Sequence, residues 1–215
     1  MRIVLIGVSH WHTPFYSEPV LKMTDATIVG VSDPDAERAA PLAAKANCPV
    51  FTDYREMCAK LKPDFAFVLG RHCDMADQAR FLIDSRIPFA IEKPCSVNAA
   101  EAHDIAHRAA AAGVFAAVPL VFRYCPIIDT IREVAAGEQI QYLSFKFVGG
   151  MVDRYYQQKV QWVIDRATSG GGPLLNLRNG AGARSRRGRT WRWATRADRL
   201  RRGRAHCGGR GDRAR

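Results

Sequence analysis

The sequence predicts an α/β protein: a doubly wound parallel sheet, then an incomplete second α/β segment and a disordered basic tail. Three observations predict it. Short β-branched runs alternate with helical stretches over the first 120 residues, the pattern of parallel strands joined by right-handed helical crossovers. The apolar runs are continuous, as strands buried on both faces require. Near residue 178 the composition changes abruptly.

Taken in order, Arg2–Val8 (RIVLIGV) reads as a buried strand that leaves through Gly7-Val8-Ser9-His10-Trp11-His12. Thr13 caps and Pro14 suits the first turn of a helix running to Lys22. Ala26–Ser32 is the second strand, closed by Asp33-Pro34, and Asp35–Ala46 is an Ala-rich helix. Val50-Phe51 is a short strand, and Asp53 caps a helix over 54–61. Phe65–Leu69 is the fourth strand. Asp74–Ser85 reads as a helix with Ala76, Ala79, Phe81, Leu82 and Ile83 on its buried side. Ile87–Ile91 is the fifth strand, ending in Glu92-Lys93-Pro94. Asn98 or Ser96 caps a helix to Ala112, stopped by Gly113. Val114–Pro119 is a sixth strand.

Beyond these, Ile127, Ile131 and Val134 space as a helix, and Gln139–Val148 alternates as a long strand of a new sheet. The stretch 155–165 reads as helical, and 169–172 is a Gly-rich turn before Pro173–Leu177. This gives a nucleotide-type domain over 1–121, the start of a second α/β domain over 122–177, and the tail 178–215.

The formal net charge of +11 belongs to that tail. Residues 1–177 carry 18 basic and 19 acidic side chains, whereas 178–215 carry 14 Arg and no Lys against Asp198 and Asp212. Its large apolar residues are Trp191, Trp193 and Leu200, too few to offset ordering entropy, so the tail is expected to be disordered. A basic arm with interleaved Trp suits phosphate neutralisation and base stacking or an anionic membrane surface. Arg with Gly and Ala and without Lys also matches a GC-rich gene read out of frame, the reading preferred here. Six scattered cysteines without a CxxC pair argue against a zinc site or disulfide framework and for a reducing cytoplasm. The N-terminus lacks the length and cleavage site of a secretory signal, and no run reaches the roughly 18 apolar residues of a membrane span.

The first turn is an imperfect dinucleotide fingerprint. Such a fingerprint needs glycines for the tight turn, for backbone approach to the pyrophosphate and for helix packing. Gly7 fills the first place; Ser9 and His12 stand at the second and third. Asp33 closes the second strand about 20 residues on, where an acid bonds a ribose hydroxyl and disfavours a 2′-phosphate; a helix-capping Asp is the competing reading. His10 and His12 could converge in a loop, but spacing shows no third ligand, so no metal is expected. His103 and His107 share a helix face without the Glu of a zincin and read as solvated. Gly70–Asp74 reads as a loop at the same sheet edge that opens a helix. Glu92-Lys93-Pro94 places an acid and a base where a parallel strand opens into its loop, the edge at which ligands of open α/β sheets bind.

This order of features resembles the Gfo/Idh/MocA family of NAD(P)-dependent oxidoreductases: the Gly7 turn, Asp33, EKP at 92–94, the Ala-rich helix with Glu101, then VFRYCP and GGGPLLNL. The likeness covers about residues 1–177. It implies a Rossmann domain followed by an α/β domain with a large open sheet. It also implies hydride transfer between nicotinamide and the hydroxyl carbon of a small sugar- or polyol-like substrate. Carried onto this sequence, Lys93 is the catalytic residue, beside the nicotinamide and the substrate hydroxyl. Cofactor contacts fall on Gly7, Ser9, His10, Trp11 and Asp33 in the first half of the sheet edge. They continue on Leu69, Gly70, Glu92, Lys93 and, from the R-x-x-P segment it shares with Pro126, Arg123. NAD is the expected cofactor, with NADP left open.

Several positions depart from the family pattern. Met75 stands near the place where many members have a His. The helix expected to carry the catalytic His has Asn176, Arg178 and Gly180 in its D-x-G-x-H places. The resemblance stops where the composition changes, which points to a frameshift or equivalent junction after Leu177 and to weak or absent turnover. A family-like homo-oligomer is left open, with the incomplete second domain weighing against it. The rival reading is a nucleotide-binding module without catalysis that carries a basic nucleic-acid arm.

Overall fold

The computed structural model describes residues 1–137, 142 and 151–172. All of them belong to one unit of the chain, Met1–Gly182. Apart from Tyr142, the strand predicted over 139–148 lies outside the described residues. So do 173–177 with Asn176, the junction after Leu177, Gly180 and the tail.

Six parallel strands form one sheet: β1 (Arg2–Ile6), β2 (Thr27–Ser32), β3 (Val50–Phe51), β4 (Phe65–Val68), β5 (Phe89–Ile91) and β6 (Ala116–Ala117). Their order is β3-β2-β1-β4-β5-β6, with Ile6 in register with Ser32 on one side and with Val68 on the other. The order reverses between β1 and β4, the switch point where α/β sheets bind ligands. This is the doubly wound Rossmann architecture that the alternating pattern predicts.

Side chains alternate across a strand, and β1 divides its residues between two cores. Ile3 and Leu5 pack with Ile28, Val31, Ala39 and Ala43 beneath α1 (Thr13–Val20) and α2 (Ala36–Ala46). Val4 and Ile6 pack on the opposite face beneath α3 (Tyr54–Leu61), α4 (His72–Asp84) and α5 (Ala99–Ala112). Three helix starts follow the sequence signals, whereas α1 does not: Thr13 lies inside the helix, and His12 stands at its N-cap without a side-chain bond. Asp35 accepts from the Glu37 and Arg38 amides, Asp53 from Arg55 and Asn98 from Glu101. Gly113 closes α5 in the left-handed region at φ +65°.

Three further boundaries differ from expectation. The sixth strand pairs only at Ala116–Ala117. Helix α4 begins at His72, two residues early, which brings a histidine into the interior. The stretch 155–165 is not one helix. Helix α7 (Asp153–Gln157) stops, Lys159 turns at φ +55°, and a 3₁₀ turn follows at Gln161–Val163. The break lets Val160 and Val163 bury beside Tyr155 in a small apolar cluster with Trp11 and Trp162, which a straight helix would not do. A last turn, α8 (Arg166–Ser169), ends at Gly170, φ +80°.

A 3₁₀ turn at Val121–Tyr124 leads into α6 (Pro126–Val134), whose Ile127, Ile131 and Val134 are exposed. No helix among the described residues is long and apolar enough to cross a membrane.

Candidate active site at the switch point of the sheet

Gly7 ends β1 with φ +66°, a conformation only glycine adopts without strain. A Cβ there would lie 2.6 Å from the Gly70 Cα, so the turn after β1 rests backbone to backbone on the turn after β4. The Gly7 amide donates to the Ser32 carbonyl at 2.7 Å, and the His10 amide to the Leu69 carbonyl at 3.1 Å. These bonds place Gly7, Ser9, His10, Trp11, Leu69 and Gly70 at one edge.

Asp33 is buried at the end of β2. Its Oδ2 accepts the Val8 amide at 2.8 Å and its Oδ1 the Asp35 amide at 3.0 Å. It is therefore a clamp on the first turn, while Asp35 caps the helix. Asp33, Gly7, Thr52, Asp53, Arg71 and Asp74 line an open cleft of about 300 Å³. A carboxylate oxygen accepts more than one bond, so Asp33 can hold a ribose hydroxyl as well as the backbone.

On the other side of the switch point, Glu92 is 2 % exposed. Its amide donates to the Val68 carbonyl at 3.0 Å. One carboxylate oxygen lies 3.3 Å from His12 Nδ1 and the other accepts from the Tyr16 hydroxyl. Burial, then the Glu92 charge, raises the Tyr16 phenol far above its ordinary value, so Tyr16 stays a donor. The Lys93–Pro94 peptide is cis. Lys93 is half-buried, and its ammonium is held below the ordinary lysine range. Burial is the main cause, with Arg154 adding to it and Glu92 opposing it.

His10, His12 and Glu92 bring three ligand-type atoms within 4.8 Å of one another, so the third group that spacing could not show is Glu92. Yet His10 Nδ1 accepts the His12 amide at 3.1 Å. Its lone pair is used, and the remaining ring nitrogen then carries the proton. The three residues thus form a hydrogen-bonded cluster.

Arg123 does not join this group. It is exposed on the 121–124 turn and forms no ion pair with these residues among those described. Conversely, His72, Tyr16 and Trp162 belong to the edge although sequence reasoning passed over them as site residues. His72 is fully buried and its Nδ1 lies 3.2 Å from the Ser169 carbonyl. Trp162 packs edge-on at 4.8 Å from His72 and donates from its indole nitrogen to the Ser9 carbonyl at 3.4 Å. The i+4 spacing of His12 and Tyr16 on one helix face was the available signal; Trp162 had none.

A dinucleotide fits this edge. The Gly7 turn leads into the N-terminus of α1, where phosphates are received. The buried acid Asp33 lines the cleft beside that turn. Buried ring nitrogens without partners lie on His10 and His72 at the far side.

Comparison with known proteins agrees. The model of the GFO_IDH_MocA oxidoreductase family, NAD-binding Rossmann fold, matches residues 1–119. Mouse trans-1,2-dihydrobenzene-1,2-diol dehydrogenase is 27% identical over 115 residues, 53% of this chain and 34% of that protein. The chain thus spans about a third of the length of that relative. Among solved structures, UDP-N-acetylglucosamine 3-dehydrogenase GnnA from Acidithiobacillus ferrooxidans is 26% identical at a TM-score of 0.55, covering 64% of this chain and 44% of that one. GenD2 from gentamicin A biosynthesis, in complex with NAD, shares the fold at a TM-score of 0.68 and 22% identity, over 85% of this chain and 54% of that one.

Proposed function

Because the chain belongs to the GFO_IDH_MocA oxidoreductase family with its NAD-binding Rossmann fold, we propose that it oxidises a hydroxyl-bearing carbon of a small sugar- or polyol-like molecule. The observation that carries the reading is Lys93. It is half-buried at the C-terminal end of β5, directly after the buried Glu92, on the edge that also holds the Gly7 turn and Asp33. In this reading residues 1–121 are the nucleotide domain and 122–177 open a substrate domain.

Bound NAD supplies the hydride acceptor. The chain's own residues do the rest. Gly7, Ser9 and the α1 N-terminus receive the pyrophosphate, and Asp33 takes the adenosine ribose. The cleft beside it carries Asp33, Asp53, Asp74 and Asp77 against Arg71, a balance that disfavours the extra phosphate of NADP. Lys93 takes the substrate hydroxyl proton on Nζ. An ammonium depressed by burial gives up its proton more readily, which brings an amine base nearer working pH. Glu92, held by Tyr16 and His12, fixes the strand end that presents it. The names of the relatives, a dihydrodiol dehydrogenase and a sugar-nucleotide 3-dehydrogenase, support a vicinal diol or sugar hydroxyl as the substrate class.

The test is Lys93→Met with NAD⁺ and a panel of sugars, sugar nucleotides and cyclic diols. NADH binding is expected to persist and substrate-dependent NADH formation to fall at least about a hundredfold, the usual scale for a removed acid–base group. Unchanged turnover in the variant overturns the assignment.

A further inference from the structure

Two buried imidazoles at this edge each carry a nitrogen without a partner, Nε2 of His10 and Nε2 of His72. Their opposite nitrogens fix their tautomers. His10 Nδ1 accepts the His12 amide hydrogen at 3.1 Å. It therefore has a lone pair there and its proton on Nε2. His72 Nδ1 faces the Ser169 carbonyl oxygen at 3.2 Å. An oxygen of that kind only accepts, so His72 has its proton on Nδ1 and a lone pair on Nε2. The two unpartnered atoms are thus opposite in kind, one donor and one acceptor.

Both rings are essentially without solvent exposure, and their centroids are 6.0 Å apart. Both are neutral at pH 7. Burial pushes His72 down to about 4 and His10 well below its ordinary value, and the nearby Lys93 charge adds to each. Leaving such a pair unmade costs about 1–3 kcal/mol for each atom, so the arrangement calls for an occupant that offers one acceptor and one donor. A carboxylate offers only acceptors and meets the His72 lone pair; an ammonium offers only donors and meets the His10 N–H. A primary carboxamide offers both from a single carbon. The Trp11 indole stacks on His10 at 4.0 Å and the Trp162 indole packs edge-on against His72 at 4.8 Å, which holds both imidazoles in place.

We propose that His10 and His72 together read the carboxamide of a bound nicotinamide, with His10 Nε2–H donating to its carbonyl oxygen and His72 Nε2 accepting from its amide nitrogen. The inference rests on the NAD reading above and adds to it a pair of recognition residues. They sit on the turn after β1 and at the first residue of α4, on either side of the switch point, and both feel the Lys93 charge.

The test uses the full chain and titration calorimetry with three dinucleotides. NAD⁺ carries both groups. 3-Acetylpyridine adenine dinucleotide keeps the carbonyl and replaces the amide nitrogen by a methyl. Nicotinic acid adenine dinucleotide replaces the carboxamide by a carboxylate. Affinity is expected to fall about tenfold for the acetylpyridine analogue, one hydrogen bond with its stranded partner, and further for the acid. In His72→Met the gap between NAD⁺ and the acetylpyridine analogue is expected to shrink to about twofold or less; if that variant does not fold, the wild-type comparison alone decides. Equal affinity of the wild type for NAD⁺ and the acetylpyridine analogue overturns the inference, with a water filling the pair, while leaving the NAD reading intact. No binding of any dinucleotide overturns both. Nitrogen NMR of the imidazoles gives an independent arm: a proton on Nδ1 of His10, or on Nε2 of His72, removes the complementarity and the proposal with it.

Discussion

Asp33, at the end of β2, and Val8, just after β1, are joined by a 2.8 Å bond from the Val8 amide to Asp33 Oδ2. The carboxylate proposed to hold the ribose is thus also the acceptor that shapes the turn after β1.

Removing that carboxylate is expected to affect fold and ligand together. Asp33→Ala strands the Val8 and Asp35 amides and should cost about 1–3 kcal/mol of stability, read as a lower urea midpoint at unchanged slope. Asp33→Asn keeps an oxygen for one of the two amides and should lose less stability. Both variants should bind NADH weakly. An alanine variant as stable as the wild type would show that the two bonds contribute nothing.

Two glycines separate backbone from side-chain obstruction. At Gly7 an added Cβ meets the Gly70 backbone at 2.6 Å, at φ +66°, and neither can yield cheaply. At Gly30 it meets the end of the Leu61 side chain at 2.4 Å and Met57 at 3.1 Å, and side chains repack. Gly30→Ala should therefore fold with a loss of about 1–3 kcal/mol. Gly7→Ala should lose more and abolish NADH binding. Thermal melts of the pair, with NADH titration of any folded variant, decide the order.

Much of this was legible locally. Gly7, Asp33 and Lys93 announce themselves because each ends a continuous apolar run, and the caps Asp35, Asp53 and Asn98 precede helical spacing. What was not legible is contact between loops. Glu92 meets Tyr16 and His12 across 76 and 80 positions of chain, and nothing in IPFAIEKP specifies them. His72 reads as part of the Gly70–Asp74 loop that opens a helix, because its partner, Ser169, is 97 residues away. The stretch 155–165 misled for a related reason. Its apolar spacing suits a helix, but burial of Val160 and Val163 against Tyr155 prevails over that spacing and puts Lys159 in the left-handed region.

Acid should destabilise the fold through two histidines. His72 and His10 titrate lower in the folded chain than the ordinary value of 6.5, mainly because they are buried. The unfolded chain then binds protons that the folded one does not, so stability is fully present above about pH 6.5 and falls as pH drops toward 4. For His72 alone the loss is on the order of 3 kcal/mol. Urea unfolding at roughly pH 7 and roughly pH 5 should show it, and a flat profile would contradict neutral burial.

Tyr16 donates to a carboxylate that is almost wholly buried. Tyr16→Phe keeps the ring against Phe67 and removes only the hydroxyl. Loss of a bond to a charged group should cost about 1.5–3 kcal/mol and should weaken NADH binding by loosening the end of β5. A melting temperature within error of the wild type would assign Glu92 to His12 alone.

The edge is finished by residues made late. Trp162 reaches the Ser9 carbonyl across 153 positions, and Ser169 reaches His72 across 97. A ribosome delivers the six strands first, and the nascent sheet can pair while its nucleotide edge still stands open. Until residue 169 has emerged, nothing decides which nitrogen of His72 holds the proton. The chemical identity of that ring, donor or acceptor, is therefore written after the whole sheet has been made, by a carbonyl from a segment outside it.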